Sequence, residues 1–141
     1  MYYIHFRMNN TLFKLLSFLY YFSFITLFIF YLFPGSLIGF LLYGDLRQEL
    51  YLISNPIGTS INHLIYFFWI TTLALIISTR VKNLFTNLYT IFLISFFLEI
   101  SHLIVPNRAF EYYDLIGNMS GFILGFLIFA IVKKYIKKRY E

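Results

Sequence analysis

In a chain of 141 residues that is 60% hydrophobic and only 12% charged, polar atoms are too few to cover a water-soluble domain, which is usually about half apolar and a quarter charged. Lipid must therefore be the solvent for much of the surface, and the length fits one domain, residues 1–141. The net charge of +5 does not indicate a nucleic-acid partner, because the basic residues flank apolar runs instead of forming a stripe, and the lack of cysteine excludes disulfides and thiolate metal sites.

The first apolar stretch, TLFKLLSFLYYFSFITLFIFYLF, runs from about Thr11 to Phe33 and stops at Pro34-Gly35. At about 1.5 Å per residue it covers roughly 30 Å, the thickness of a bilayer core. A cleaved signal peptide is the rival reading, but the run is too long for one and no small-residue cleavage site follows. Pro34 to Ser60 is the one long connection. Within it SLIGFLLYG is apolar yet too short to span, which predicts a re-entrant or interfacial piece. DLRQELYLI reads as a short amphipathic helix capped by Asp45, with Leu46, Leu50 and Ile53 on one face. The segment is expected to lie on the outer membrane surface as a partial lid.

A second stretch, INHLIYFFWITTLALIIS, covers Ile61 to Ser78, follows the capping turn Gly58-Thr59-Ser60, and stops at Arg80 and Lys82. The third covers Leu84 to Val105 and halts before Pro106; the fourth covers Asp114 to Val132 and runs into a basic tail, residues 133–141. The expected fold is all-α: an integral membrane bundle of four transmembrane helices, about 11–33, 61–78, 84–105 and 114–132, with an interfacial segment at 34–60. Arg7, Lys14, Arg80, Lys82 and the five basic residues after the fourth helix fall on one side, against Arg47 and Arg108 on the other. The positive-inside rule then gives a multi-pass plasma-membrane protein with both termini cytoplasmic.

Polar residues gather between the third and fourth stretches, in LEISHLIVPNRAFEYYDLIGNMSG. Glu99 lies roughly 9 Å inside the outward end of its helix. A carboxylate facing lipid is costly, ~2.5–3.5 kcal/mol for Asp at mid-membrane, so Glu99 should face the bundle. His102 shares its face one turn nearer the surface, and Ser95 continues the stripe one turn deeper. On the fourth helix Asp114, Asn118, Gly121 and Gly125 share a face, with Asp114 placed to act as N-cap. Gly117, Gly121 and Gly125 form overlapping G-x-x-x-G units suited to close helix packing. His63 lies one turn inside the second helix, and Arg108 is the expected counter-charge in the short loop. Interhelical glue is the plain explanation for such groups, but each bond of that kind contributes only about 0.6 kcal/mol. A functional polar cavity explains a carboxylate better.

A glutamate followed three residues later by a polar side chain, then an arginine loop, then D-x-x-x-N-x-x-G opening the next helix, resembles the VanZ-like family of small membrane proteins. The pattern here is Glu99, His102, Arg108, Asp114, Asn118 and Gly121, and the earlier NHLIYFF is similar to the family's first motif. The likeness covers roughly residues 60 to 130. The family usually has glutamine where His102 stands, and an aspartate–lysine pair where this chain has Thr59-Ser60. The resemblance implies an envelope-related function and, for some members, altered susceptibility to the glycopeptide teicoplanin. It implies no settled chemistry.

Three functions remain open from the residues. A binding or accessory protein would hold a membrane lipid or lipid-linked envelope precursor, with Arg108, Asn118, Asp114 and Glu99 as binding residues. An intramembrane hydrolase or transferase would act on a lipid ester or phosphoester, with Glu99, His63, His102 and Asp114 as catalytic candidates. Glu99 and His102 form E-x-x-H, a spacing that helix bundles use for metals, so Glu99, His102 and His63 are candidate ligands of a divalent metal, with Asp114 to complete the set. A transporter is disfavoured, because no inverted repeat is present and the polar groups stop in the outward third; a homo-oligomer is compatible with any of these.

Overall fold

A computed structural model describes residues 8–48 and 58–140. The described chain is all-α, with five helices in the order α1 (Asn10–Leu32), α2 (Leu37–Tyr43), α3 (Gly58–Ser78), α4 (Leu88–Ser101) and α5 (Tyr112–Tyr140), and no strand among the described residues. Three of them, α1, α3 and α5, contain spans of 23, 19 and 25 residues that are long and apolar enough to cross a membrane. At 14 residues α4 falls short of that length.

The helix directions follow from who touches whom. A Cβ added at Gly117 or Gly121 would strike the carbonyl oxygen of Ser60 or Leu64, and one at Gly125 would crowd that of Phe68, so α5 runs parallel to α3 with backbones in close approach. Only glycine permits this. α4 runs antiparallel to α5: Glu99 meets the backbone of Glu111, Ser95 meets Asn118, and Phe92 packs edge-on against Phe122. α1 is antiparallel to α3, with contacts from Tyr31–His63 through Thr26–Tyr66 and Ser23–Trp69 to Asn10–Arg80.

On α1 the residues Tyr20, Phe24, Leu27 and Tyr31 repeat at helical spacing and form one buried stripe. They join Phe67, Ile70, Leu73, Ala74 and Ile77 of α3, with Ile91 and Leu98 of α4, in a single core. The opposite faces carry exposed Phe18, Ile25, Phe97 and Ile128, an apolar exterior suited to lipid.

Several boundaries differ from the sequence reading. The third apolar run is helical from Leu88, not Leu84. Asn83 and Thr86 bond to each other's backbone in a turn, and Asn87 then caps the helix by accepting from the Tyr89 N–H. At its other end α4 stops at Ser101 instead of reaching Val105; His102, Leu103 and Ile104 donate to carbonyls three residues back, and Asn107 is left-handed at φ 58°. α5 begins at Tyr112, with the Glu111 carbonyl accepting from Asp114 and Leu115, so Asp114 sits inside the first turn and is not the N-cap. The helix also continues to Tyr140 through the expected tail, a stretch without Gly or Pro whose lysines suit a helix C-terminus. The apolar piece after α1 is the short helix α2, capped by the Ser36 side chain and closed by left-handed Gly44 at φ 72°. Asp45 accepts from the Arg47 N–H in a turn. The remainder of the amphipathic helix expected there, including Leu50 and Ile53, lies outside the described residues.

Candidate functional site

The four long elements bring polar side chains to the same end of the bundle. α1 contributes Tyr31 from its last turn, α3 Ser60 and His63 from its first two turns, and α4 Glu99 and His102 from its C-terminal end. Asp114 and Asn118 come from the start of α5. Glu99 and Asn118 are fully buried at 0% exposure.

Asn118 organises the inner layer. Its amide Nδ2 donates to the Ser95 carbonyl, 3.1 Å away. A carbonyl accepts only, which fixes the amide and turns Oδ1 toward α1 and α3. There Oδ1 accepts the Tyr31 hydroxyl at 2.8 Å and lies 3.1 Å from His63 Nδ1. Tyr31 Oη is also 2.6 Å from the same nitrogen. Tyr31 further stacks on the His102 ring, centroids 5.1 Å apart, and meets the His63 ring edge-on. One tyrosine thus sets the position of both imidazoles.

Around this layer stand the carboxylates. Glu99 Oε1 accepts from the Glu111 backbone N–H at 3.3 Å and lies 3.3 Å from His102 Nδ1, while Oε2 lies 3.8 Å from His63 Nδ1. Asp114 Oδ1 accepts from the Ser60 hydroxyl at 2.9 Å, and Oδ2 is 3.5 Å from His63 Nε2. Arg108 reaches back to α1, donating from Nη2 to the Phe30 carbonyl at 2.8 Å. The buried Glu99 Oε2 and His102 Nε2 have no hydrogen-bond partner among the described residues.

A cavity of about 390 Å³ opens over this cluster. Its lining mixes His63, His102, Arg108, Glu111 and Asp114 with Leu27 and Phe30 of α1 and Leu37 and Ile38 of α2. Glu99 and Asn118, both fully buried, do not line the cavity. Sequence reasoning therefore placed them one layer too far forward. The structure gathers His63, Glu99, His102, Asp114 and Asn118 in one contiguous network, and Arg108 stands at the cavity beside it.

Two participants were not foreseen. Tyr31 belongs to a helix read only as an anchor, although Tyr20 and Tyr31 put hydroxyls at both ends of a buried stripe, a usable signal. Ser60 looked like a cap; its hydroxyl instead holds Asp114. Among the described residues one nitrogen of His63 and one carboxylate oxygen each of Glu99 and Asp114 lie within 4.8 Å of one another, the arrangement closest to a metal-ligand set. His102 stands beside that set, paired to the other oxygen of Glu99. Comparisons of the chain with protein-family models, curated proteins and solved structures give no match, so the function has to be argued from the site itself.

Proposed function

We propose that this chain is a VanZ-like, four-span plasma-membrane protein whose cavity binds an amphiphile, an envelope lipid or lipid-linked precursor, at the outer leaflet. The observation that carries the reading is the mixed lining of the cavity. Leu27, Phe30, Leu37 and Ile38 suit an acyl or prenyl chain, while Arg108 in the same lining suits a phosphate or carboxylate headgroup. Beside it α2 exposes Phe40, Leu41 and Leu42, the kind of surface that rests in the membrane interface and admits a lipid from the side.

The parallel course of α3 and α5 supports the fourth span. A chain that descends twice in the same direction must return between, and α4 with its flanking turns is that return. Arg80, Lys82, Lys133 and Lys134 lie at the end remote from the cavity, which supports cytoplasmic termini and an outward cavity. The resemblance noted in residues 60 to 130 extends the proposal to glycopeptide susceptibility.

Native mass spectrometry of the gently extracted protein tests the binding. The expected result is one retained amphiphile per chain, reduced in Arg108→Gln. Wild-type protein that sheds all lipid on mild activation, or retention unchanged in Arg108→Gln, overturns it. Impermeant labelling of a cysteine placed at Lys137 from outside intact cells would overturn the orientation.

A further inference from the structure

We infer that His63, Asp114 and Glu99 form a binding site for one divalent ion of the zinc or manganese class, an assignment that goes beyond amphiphile binding and holds whatever molecule the cavity takes. The argument begins with hydrogen positions. Ser95 fixes the Asn118 amide, and Asn118 Oδ1 then takes the Tyr31 hydroxyl proton. Tyr31 Oη and Asn118 Oδ1 both present lone pairs to His63 Nδ1, at 2.6 and 3.1 Å. Nδ1 must therefore carry hydrogen. In the neutral ring Nε2 is then a bare lone pair, and it faces a carboxylate oxygen of Asp114 at 3.5 Å.

Two lone pairs facing each other repel unless a cation lies between them. Their spacing suits one: two donors each about 2.1 Å from a tetrahedral ion stand about 3.4 Å apart. Glu99 supplies the third donor: one nitrogen of His63 and one carboxylate oxygen each of Asp114 and Glu99 lie within 4.8 Å of one another. Glu99 Oε2 is the independent sign: buried, without a hydrogen-bond partner among the described residues and 3.8 Å from His63 Nδ1, it calls for positive charge nearby.

The surroundings match those of a ligating histidine, whose second nitrogen is normally held by an outer acceptor that fixes the tautomer. Tyr31 and Asn118 fill that role here. Asp114 is likewise held through its other oxygen by Ser60. One imidazole with two carboxylates is a nitrogen–oxygen set suited to Zn²⁺ or Mn²⁺, and three protein ligands leave a position open. His63 and Asp114 both line the cavity, so that position faces its contents.

The test uses the full chain in detergent, stripped with chelator and titrated with Mn²⁺ or Zn²⁺. Elemental analysis after gel filtration should give one ion per chain, and the bound Mn²⁺ should show nitrogen hyperfine coupling from one imidazole in pulsed electron paramagnetic resonance. Asp114→Asn replaces a single atom and should raise Kd at least about tenfold, whereas Asn83→Ala, at the far end of the bundle, should leave it unchanged. No ion above background, no nitrogen coupling, or Asp114→Asn binding like wild type overturns the site; in each case amphiphile retention would stand as a separate result.

Discussion

The two ends of the bundle are both polar and are built on opposite plans. At the α1 N-terminal end, most polar groups are exposed, Thr86 excepted, and mostly close loops nearby. Arg80 donates to Asn10 and to the Met8 carbonyl and lies over the Phe13 ring. Asn83 pairs with Thr86 and donates to the Tyr21 hydroxyl. At the cavity end each helix sends in one or two groups that meet away from water, through partners as much as 87 residues apart in sequence. An exposed network fastens chain ends at small cost. A buried network that leaves Glu99 Oε2 and His102 Nε2 without hydrogen-bond partners among the described residues is poor design for stability alone, and such a remainder suits a ligand site.

Three substitutions test this contrast, in falling order of effect. Gly121→Leu should abolish folded protein, because the obstacle is the Leu64 carbonyl and the α3 backbone, not a side chain that can move aside; the cost should exceed the ~1–3 kcal/mol of ordinary overpacking. Monodisperse yield in detergent is the measurement, and a parent-like yield would show that the cavity end does not depend on the close approach of α3 and α5. Asn118→Leu keeps the approximate volume but removes the partner of the Ser95 carbonyl, of the Tyr31 hydroxyl and of His63 Nδ1. It should cost about 2–3 kcal/mol, the range for a buried group left unsatisfied, read as a clear fall in thermal midpoint. Asn83→Ala removes bonds that water can replace and should cost under about 1 kcal/mol. Equal midpoints for the last two variants would erase the distinction between the ends.

Much of this was legible from spacing. Glu99 and His102 three apart, and Asp114 and Asn118 four apart, fix two faces, and the cost of a lipid-facing carboxylate turns both inward. The glycines at 117, 121 and 125 announced a close helix contact, though not that the partner would be α3, since spacing within one helix carries no information about its neighbour. Tyr31 was hidden for a related reason: in a helix apolar on every side, a tyrosine is ordinary until the facing helix supplies Asn118 and His63. Helix ends were the least legible. Asn87 is one of several polar residues after Arg80, and only the reciprocal Asn83–Thr86 turn marks it as the cap.

The shortness of α4 bears on the lipid around the protein. Fourteen residues rise about 21 Å, against roughly 30 Å for the hydrocarbon core. On the proposed topology the bilayer beside α4 must thin to meet it, and the headgroup plane dips locally toward His102 at the helix end. Such mismatch carries a modest energy for each ångström, enough to sort proteins among membranes of different thickness. On that topology a thinned collar at the cavity end would also shorten the distance a headgroup descends to reach Arg108, so the length of one helix would govern both where this protein settles and how readily its cavity fills.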